Sequence, residues 1–551
     1  MLPPPTDLAS AALAFPLLMP MAAMSPSGLD GQGPAARPMS FGPPLGPYLW
    51  THPVRHLFDA PAATAGVAGG RRVGNGRRRQ EGTVDDVSEK ARKSWVLALV
   101  SVASFMVALD ALVVTTALST IRLDFGASIE ALQWTVNAYN LSFAVLLMTG
   151  AALGDRFGRR RLLAAGLGLF VAASAACALA PGIGWLIAAR AVQGAGAALV
   201  MPLAMALLSA AFPRDERGQA LGIFSGVTGL ALIAGPLVGG AVVEGIAWQW
   251  IFWVNLPIGL LVIPLVLARI PESYGPGSVL DIPGLALVAG AALGMVWGLM
   301  RGNSAGWGSP EVVAALAAGL LLALAFVAWE RRAREPMVPP RFFRSRAFSA
   351  ANATGFLLHA PIYSTVFFLP QFLQVVQGHG PLGAGLRLLP WTATLFVFAP
   401  LAGGLVNRIG ERPLVVVGLL AQAFGMAWVG LIAAPDLAYS SLIVPLILAG
   451  AGVSMAMPAA QHAVLGAVAP GEVGKASGTY NTVRFLGGAF GIAIAVAVFA
   501  AAGGAGSPEA FSAGFAPEMR VAAALSLLGA VTGLWLPGRH DVAVVHAAAR
   551  A

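Results

Sequence analysis

From Trp95 onward the chain is a succession of apolar runs of about 20 residues, separated by short polar segments. A run of that length crosses a hydrocarbon core about 30 Å thick as a helix, because every backbone N–H and C=O must then find its partner inside the segment. Fourteen runs can be marked, at about 95–119, 130–152, 161–180, 185–210, 219–243, 249–269, 281–300, 312–329, 349–374, 382–406, 413–433, 439–468, 477–500 and 515–536. The expected fold is an all-α integral membrane protein with fourteen transmembrane helices. Charged residues make up 11% of the chain, against about 25% in soluble domains, so little polar material remains for an aqueous domain.

The runs are not independent. Gly194-Ala-Gly-Ala-Ala-Leu-Val-Met201-Pro202 in span 4 returns as Gly450-Ala-Gly-Val-Ser-Met-Ala-Met457-Pro458 in span 12. Pro213, Gly218, Ala220 and Gly222 find counterparts in Pro470, Gly474, Ala476 and Gly478. A bundle built twice reads as two half-bundles facing each other, with a ligand held between them. The domains expected are a six-helix bundle over 95–270 (spans 1–6), two inserted spans and a loop over 271–346, a second six-helix bundle over 347–537 (spans 9–14), and a tail over 538–551.

Basic residues set the orientation. The even-numbered loops hold Arg156, Arg159, Arg160, Arg161, Arg214, Arg217, Arg269, Arg331, Arg332, Arg334, Arg341, Arg344, Arg346, Arg408, Arg412 and Lys475. The odd-numbered loops offer Arg122, Arg301 and Arg520, with Arg387 near a helix end. Both termini are therefore expected in the cytoplasm. The net charge of +9 is explained by loops held on that side, and no nucleic-acid partner is expected.

Residues 1–94 are rich in Pro, Gly and Ala without lasting periodicity. They read as a disordered tail, or as an upstream start assigned in error. The apolar stretch Leu8–Met24 lacks a basic lead-in and is broken by Pro16 and Pro20, which weakens a signal-peptide reading. Cys177 is the single cysteine, so no internal disulfide or multi-cysteine metal site is available. No phosphate-binding loop ending in Gly-Lys-Ser/Thr is present, and the loops are mostly too short for a catalytic constellation, so neither ATP-driven transport nor an enzyme is expected.

Asp110 in span 1 and Arg190 in span 4 stand well inside apolar sequence, where each costs about 2.5–3.5 kcal/mol on insertion scales. At 1.5 Å per residue, Asp110 lies about 22 Å from the cytoplasmic side and Arg190 about 8 Å from the other, so both reach the same level. Burial favours the neutral acid, and a neighbouring cation favours the carboxylate. The two residues form either a proton-loading site with a tuning guanidinium or a static ion pair. The loop Gly154, Asp155, Arg156, Gly158, Arg159, Arg160 joins spans 2 and 3, with its glycines expected to make the tight return. Asn407-Arg408-Ile-Gly410-Glu-Arg412 echoes it in the second half, which raises a conformational role above that of a charge anchor. In span 5, Gly235, Pro236, Gly239 and Gly240 allow close helix packing and a kink. Asn137, Asn140 and Gln193 are candidates to line the cavity. His359 faces either that cavity or a packed neighbour. Arg484, near the expected start of span 13, reads as an anchor on the cytoplasmic side.

These residues reach a family. The chain resembles the fourteen-span drug:proton antiporters of the major facilitator superfamily over about residues 95–537. Gly150 to Arg160, with Asp155-Arg156-x-Gly158-Arg159-Arg160, looks like that superfamily's signature between spans 2 and 3. Leu186-x-x-x-Arg190-x-x-Gln193-Gly194-x-Gly196 is similar to its span 4 signature, whose arginine is implicated in proton transfer. Gly235-Pro236-x-x-Gly239-Gly240 looks like the span 5 antiporter signature of exporters. Trp248-Gln-Trp250-Ile-Phe252-x-x-Asn255-x-Pro257-x-Gly259 resembles the pattern that opens span 6, and Leu109-Asp110 with Ala117-Leu118 that of span 1. The departures are Ala231 for the first glycine of the span 5 signature, and Thr115 and Ser119 for the usual Asn and Pro of span 1. The resemblance implies that Asp155 and Arg156 clasp the half-bundles on the cytoplasmic side.

The resulting expectation is a multi-pass protein of the bacterial inner (cytoplasmic) membrane. It exchanges protons for an amphipathic, often cationic or lipophilic, organic compound, uses no cofactor, and needs no obligate protein partner. A proton-coupled importer or facilitator, and a sensor or scaffold that keeps the fold without transport, are the alternatives.

Overall fold

The structure, a computed structural model, describes residues 75–213, 216–275, 280–469 and 472–538, with side chains from Glu89 onward. Among the described residues every regular element is a helix. Fourteen helices are long and apolar enough to cross a membrane. Spans 1–6 are Glu89–Phe125, Ile129–Phe157, Arg159–Ala178, Ile183–Ala211, Gln219–Gly245 and Trp250–Arg269. Spans 7 and 8 are Ile282–Ala305 and Pro310–Glu330. Spans 9–14 are Arg346–Val375, Pro381–Val406, Glu411–Ile432, Ser440–Gly466, Val473–Ala502 and Pro508–Gly533. Each expected run falls on one of them.

The ends differ where polar residues continue a helix beyond its apolar run. The helix of span 1 begins at Asn75, inside the expected tail, and Glu89–Lys93 at 3.2 Å is one of its i,i+4 pairs. The expectations for residues 1–74 and for the tail beyond Gly538 lie outside the described residues. Span 14 starts at Pro508 and not near 515, because Ser507 caps it by accepting from Ala510 N at 3.2 Å with proline in the first turn. Span 13 starts at Val473. These two corrections move Glu518 and Arg484 deep into their helices. Arg520, counted above with a loop, also lies inside span 14.

The sequence repeat proves to be a packing repeat. A Cβ on Gly194 would sit 2.4 Å from Tyr139 O of span 2, and one on Gly196 2.7 Å from Phe170 N of span 3. In the second half, a Cβ on Gly450 would sit 2.2 Å from Trp391 O of span 10, and one on Gly452 2.3 Å from Gly418 O of span 11. In each half the two glycines let one central helix touch two neighbours backbone to backbone.

Odd-numbered spans end at what we call the distal face, even-numbered spans at the proximal face, which carries the basic loops. At the distal end one apolar cluster draws buried residues from both halves, including Val113, Phe252, Phe372 and Phe515. At the proximal end each half has a cluster of its own, and Phe485 and Leu486 of span 13 and Tyr363 of span 9 reach across to that of the first half. Besides Thr482 of span 13, which donates to Ala144 O of span 2 at 3.2 Å, and Asn137 of span 2, which donates to Ala489 O of span 13 at 3.4 Å, three hydrogen bonds among the described residues tie the halves at one end. Gln374 donates to Thr116 O at 3.0 Å, Arg122 to Ala505 O at 3.0 Å, and Leu382 N to Glu244 Oε2 at 3.0 Å, all at the distal face. Along spans 5 and 10 contact runs down to Gly229 and Leu395, and Gly226, Gly222, Gly403 and Gly404 then have open space beside them. The two halves are thus closed distally and part proximally along that seam.

The inserted spans pair with each other through Gly294 and Gly319, where a Cβ on Gly294 would sit 3.0 Å from Ala315 O. Span 7 then covers the seam between spans 2 and 13, packing Val296, Leu299 and Met300 on Leu141, Ala489 and Ala493. Span 8 leaves Leu320, Leu321 and Leu324 exposed.

Candidate functional site

Asp110 and Arg190 meet. The Arg190 Nη1 donates to Asp110 Oδ2 at 2.5 Å, with both side chains all but fully buried. Straight helices at a constant rise are why depth arithmetic alone brought them level. Asp110 Oδ1 accepts from Gln193 Nε2 and from Asn255 Nδ2, each at 2.8 Å. Those two amides also donate to Ser174 Oγ, at 2.7 and 2.9 Å. Arg190 spends its other donors on Gln193 Oε1 at 2.6 Å and Thr135 O at 3.2 Å, and its guanidinium carbon lies 4.2 Å from the Tyr139 ring centroid. Spans 1, 2, 3, 4 and 6 therefore converge on one carboxylate. Gln193, expected to line a cavity, is instead a member of this network.

The loop between spans 2 and 3 turns on Gly158, whose φ of 104° suits glycine, and Gly410 does the same at φ 85° between spans 10 and 11. Gly154 is not part of the turn. It is buried in span 2, where a Cβ would meet Leu203 Cδ2 at 2.0 Å. Asp155 Oδ1 accepts from Arg159 Nε at 2.9 Å, and Glu272 after span 6 accepts from the Arg160 backbone N–H at 2.8 Å. Arg159 N donates to Ser273 O, and Gly275 N to Asp155 O. Arg156 is exposed beside Phe157. Among the described residues these contacts stay within the first half-bundle, so in this conformation the loop clasps the end of span 6 and not the opposite half.

Of the span 5 glycines, Gly235 and Gly239 pack within the first half and Gly240 joins the halves. A Cβ on Gly235 or Gly239 would sit 2.6 Å from Leu112 Cβ or 2.5 Å from Thr116 Oγ1 of span 1. A Cβ on Gly240 would sit 2.5 Å from Pro381 O, and one on Gly385 2.3 Å from Pro236 O, so this face of span 5 rests on the start of span 10.

The model of the Major Facilitator Superfamily matches residues 100–492. The chain belongs to the Major Facilitator Superfamily. Multidrug resistance protein Stp of Mycobacterium tuberculosis is 36% identical over 399 residues, covering 72% of this chain and 74% of that one. The tetracenomycin C resistance and export protein of Streptomyces glaucescens is 34% identical over 459 residues, 81% of this chain and 84% of its own length. The cephamycin export protein of Amycolatopsis lactamdurans is 36% identical over 429 residues, 76% and 88% of the two chains. Among solved structures, a POT family transporter aligns with TM-score 0.61 at 15% identity over 78% of this chain and 94% of that one. The xylose transporter of E. coli, in a partially occluded inward open conformation, aligns with TM-score 0.55 at 15% identity over 82% and 99%. Those two likenesses carry the fold alone.

Within this superfamily member the remaining candidates are scattered. Asn137 of span 2 donates to Ala489 O of span 13 at 3.4 Å, across the seam under span 7. Asn140 is buried and its Nδ2 has no partner. His359 is buried, with Nδ1 2.8 Å from Gly355 O and its ring edge-on to Tyr480 at 6.4 Å. Four residues of the Asp110 network were not singled out as site residues from sequence. Asn255 had a signal, since it sits in the pattern that opens span 6. Ser174, Thr135 and Tyr139 had none, because a lone polar residue in an apolar helix does not say which neighbour it meets. Glu518 was missed because its span was drawn to start only a few residues before it. It is fully buried about 15 Å along span 14, where neither carboxyl oxygen makes a well-formed hydrogen bond and the Ser364 hydroxyl of span 9 lies beside it.

Proposed function

We propose that the chain is a proton-coupled antiporter that exports amphipathic or lipophilic organic compounds by alternating access, with no cofactor beyond the proton gradient. The proximal face is the cytoplasmic one, in the inner membrane of a bacterium, with both termini on that side. Support for export comes from the resistance and export functions named for relatives that are 34–36% identical over the aligned residues. The observation that carries proton coupling is the buried Asp110–Arg190 pair. It is held between four further polar side chains in the half of the molecule that contains the span 5 exporter signature.

The chemistry follows from charge. With Asp110 ionised, Arg190 is compensated and the first half-bundle is locked around it. A proton on Asp110 removes that compensation, and the guanidinium must find another partner or water. A state in which it can do so gains population, which is how binding at one residue biases a two-state molecule. Substrate that prefers the opposite state couples the two flows. Asp110→Asn is expected to abolish proton-driven accumulation of tetracenomycin C or a related drug in inverted vesicles, while the protein still reaches the membrane folded. Undiminished accumulation by that variant would remove Asp110 from the mechanism.

A further inference from the structure

The second half-bundle holds an arginine that the proton pair does not explain. Arg484 lies about 17 Å along span 13, near the middle of the hydrocarbon and not at its edge. Its surroundings differ from those of Arg190. Among the described residues no hydrogen bond or ion pair reaches it, and its Nε is buried without a partner. Its charge is felt at Tyr363, His359 and Tyr480, the last one turn before it on span 13, and its guanidinium carbon is 4.7 Å from the Phe485 ring centroid. Tyr480 is buried, and its hydroxyl also lacks a partner. His359 has Nδ1 against a carbonyl, so it brings no negative charge.

The ring it lies against faces the contact between halves. Phe485 packs edge-on against Phe143 of span 2 at 4.4 Å and lies 6.2 Å from Tyr363. Phe143 in turn stacks on Tyr139 at 6.2 Å, the ring under Arg190. An aromatic wall therefore runs from one half to the other, with an unpaired guanidinium on it. Arg190, fully buried, is neutralised by Asp110, so the partly buried Arg484 is the charge carried on this wall. An uncompensated cation at this depth is expensive, and membrane proteins keep such groups where a ligand or a conducted ion supplies the counter-charge.

We propose that Arg484, with Tyr480 and Tyr363, forms an anion-binding subsite between the half-bundles. It would take a carboxylate or phenolate carried on an apolar, aromatic frame. This rests on the export reading and replaces its expectation of an often cationic substrate. A guanidinium offers a carboxylate paired N–H donors, Tyr480 adds a hydroxyl, and the phenyl and phenol rings cover the frame.

The test is binding to the full-length protein in nanodiscs, with three pyrene probes of one frame: pyrenebutyrate, its methyl ester, and a pyrenylalkyl trimethylammonium. The wild type is expected to bind the anion most tightly. Arg484→Gln should weaken pyrenebutyrate by about 10- to 100-fold and leave the ester within about twofold, the loss typical of a hydrogen bond to a charged group. Arg484→Lys should fall between, and Tyr480→Phe should cost the anion several-fold. If Arg484→Gln does not purify as a monodisperse species, the lysine variant carries the same comparison. Equal weakening of all three probes, or a wild type that prefers the ester or the cation, overturns the subsite. Failure of the export reading would look different: pyrenebutyrate would bind in an Arg484-dependent way, yet inverted vesicles would not accumulate it on a proton gradient.

Discussion

Asp110 takes donors on both carboxylate oxygens, and every donor comes from a different helix than its own. Such a buried pair adds little net stability when both partners are present, yet removing one strands the other. Asp110→Leu alone is expected to cost about 3–5 kcal/mol, and Asp110→Leu with Arg190→Met much less. Thermal unfolding in detergent checks this, and a double variant less stable than the single one would mean that the pair is not the relevant unit. Glu518 gives the opposite expectation. A buried polar group without a well-formed hydrogen bond costs about 1–3 kcal/mol, and Glu518 has only the Ser364 hydroxyl nearby, so Glu518→Met should raise stability by up to that amount. A loss of stability on that change would point to a partner for the carboxyl in another conformation.

Helices meet in this molecule where side chains are absent. Gly194 and Gly450 bring spans 4 and 12 onto spans 2 and 10, and Gly235, Gly239 and Gly240 set span 5 between span 1 and span 10. Pro202, Pro236 and Pro458 lie inside these same helices and remove a backbone hydrogen bond from each, which leaves a site for bending near the packing surface. Gly240→Val is expected to force the distal ends of spans 5 and 10 apart. Cys177 is the sole cysteine and is buried, so a Cys177→Ser background with Thr116→Cys reports on this seal. Labelling of Cys at 116 by an impermeant maleimide from the distal side should rise several-fold with Gly240→Val. Unchanged labelling would show that the seal does not depend on that contact.

At the scale of the whole molecule, one shared apolar core at the distal end and two cores at the proximal end, which touch through span 13 and part along spans 5 and 10, describe a bundle that opens on that side towards its basic loops. Alternating access requires that the shared core come apart. Cysteines at Glu244 and Leu382, in the Cys177→Ser background, should cross-link under oxidation and stop transport until reduced. Transport at the full rate by the cross-linked protein would mean that the distal seam does not open in the cycle.

Much of this architecture was legible in the residues. Fourteen apolar runs, each long enough to satisfy its own backbone, left helices as the only option, and the glycine repeat divided them into two halves. Asp110 and Arg190 stood out because charge at membrane depth is costly wherever it occurs. The sequence alone determined what is local: helix, span and burial of individual charges. Partnership was decided only by the tertiary structure. Asn255, Ser174 and Tyr139 join Asp110 because their helices cross at that level, and the span 2–3 loop grips Glu272 and not the far half. Arg484 and Glu518 became interior residues once cap and helix start were set. A helical sequence states which face a residue shares with its own chain, but the face it meets depends on rotations and crossings that the close approach of glycines fixes.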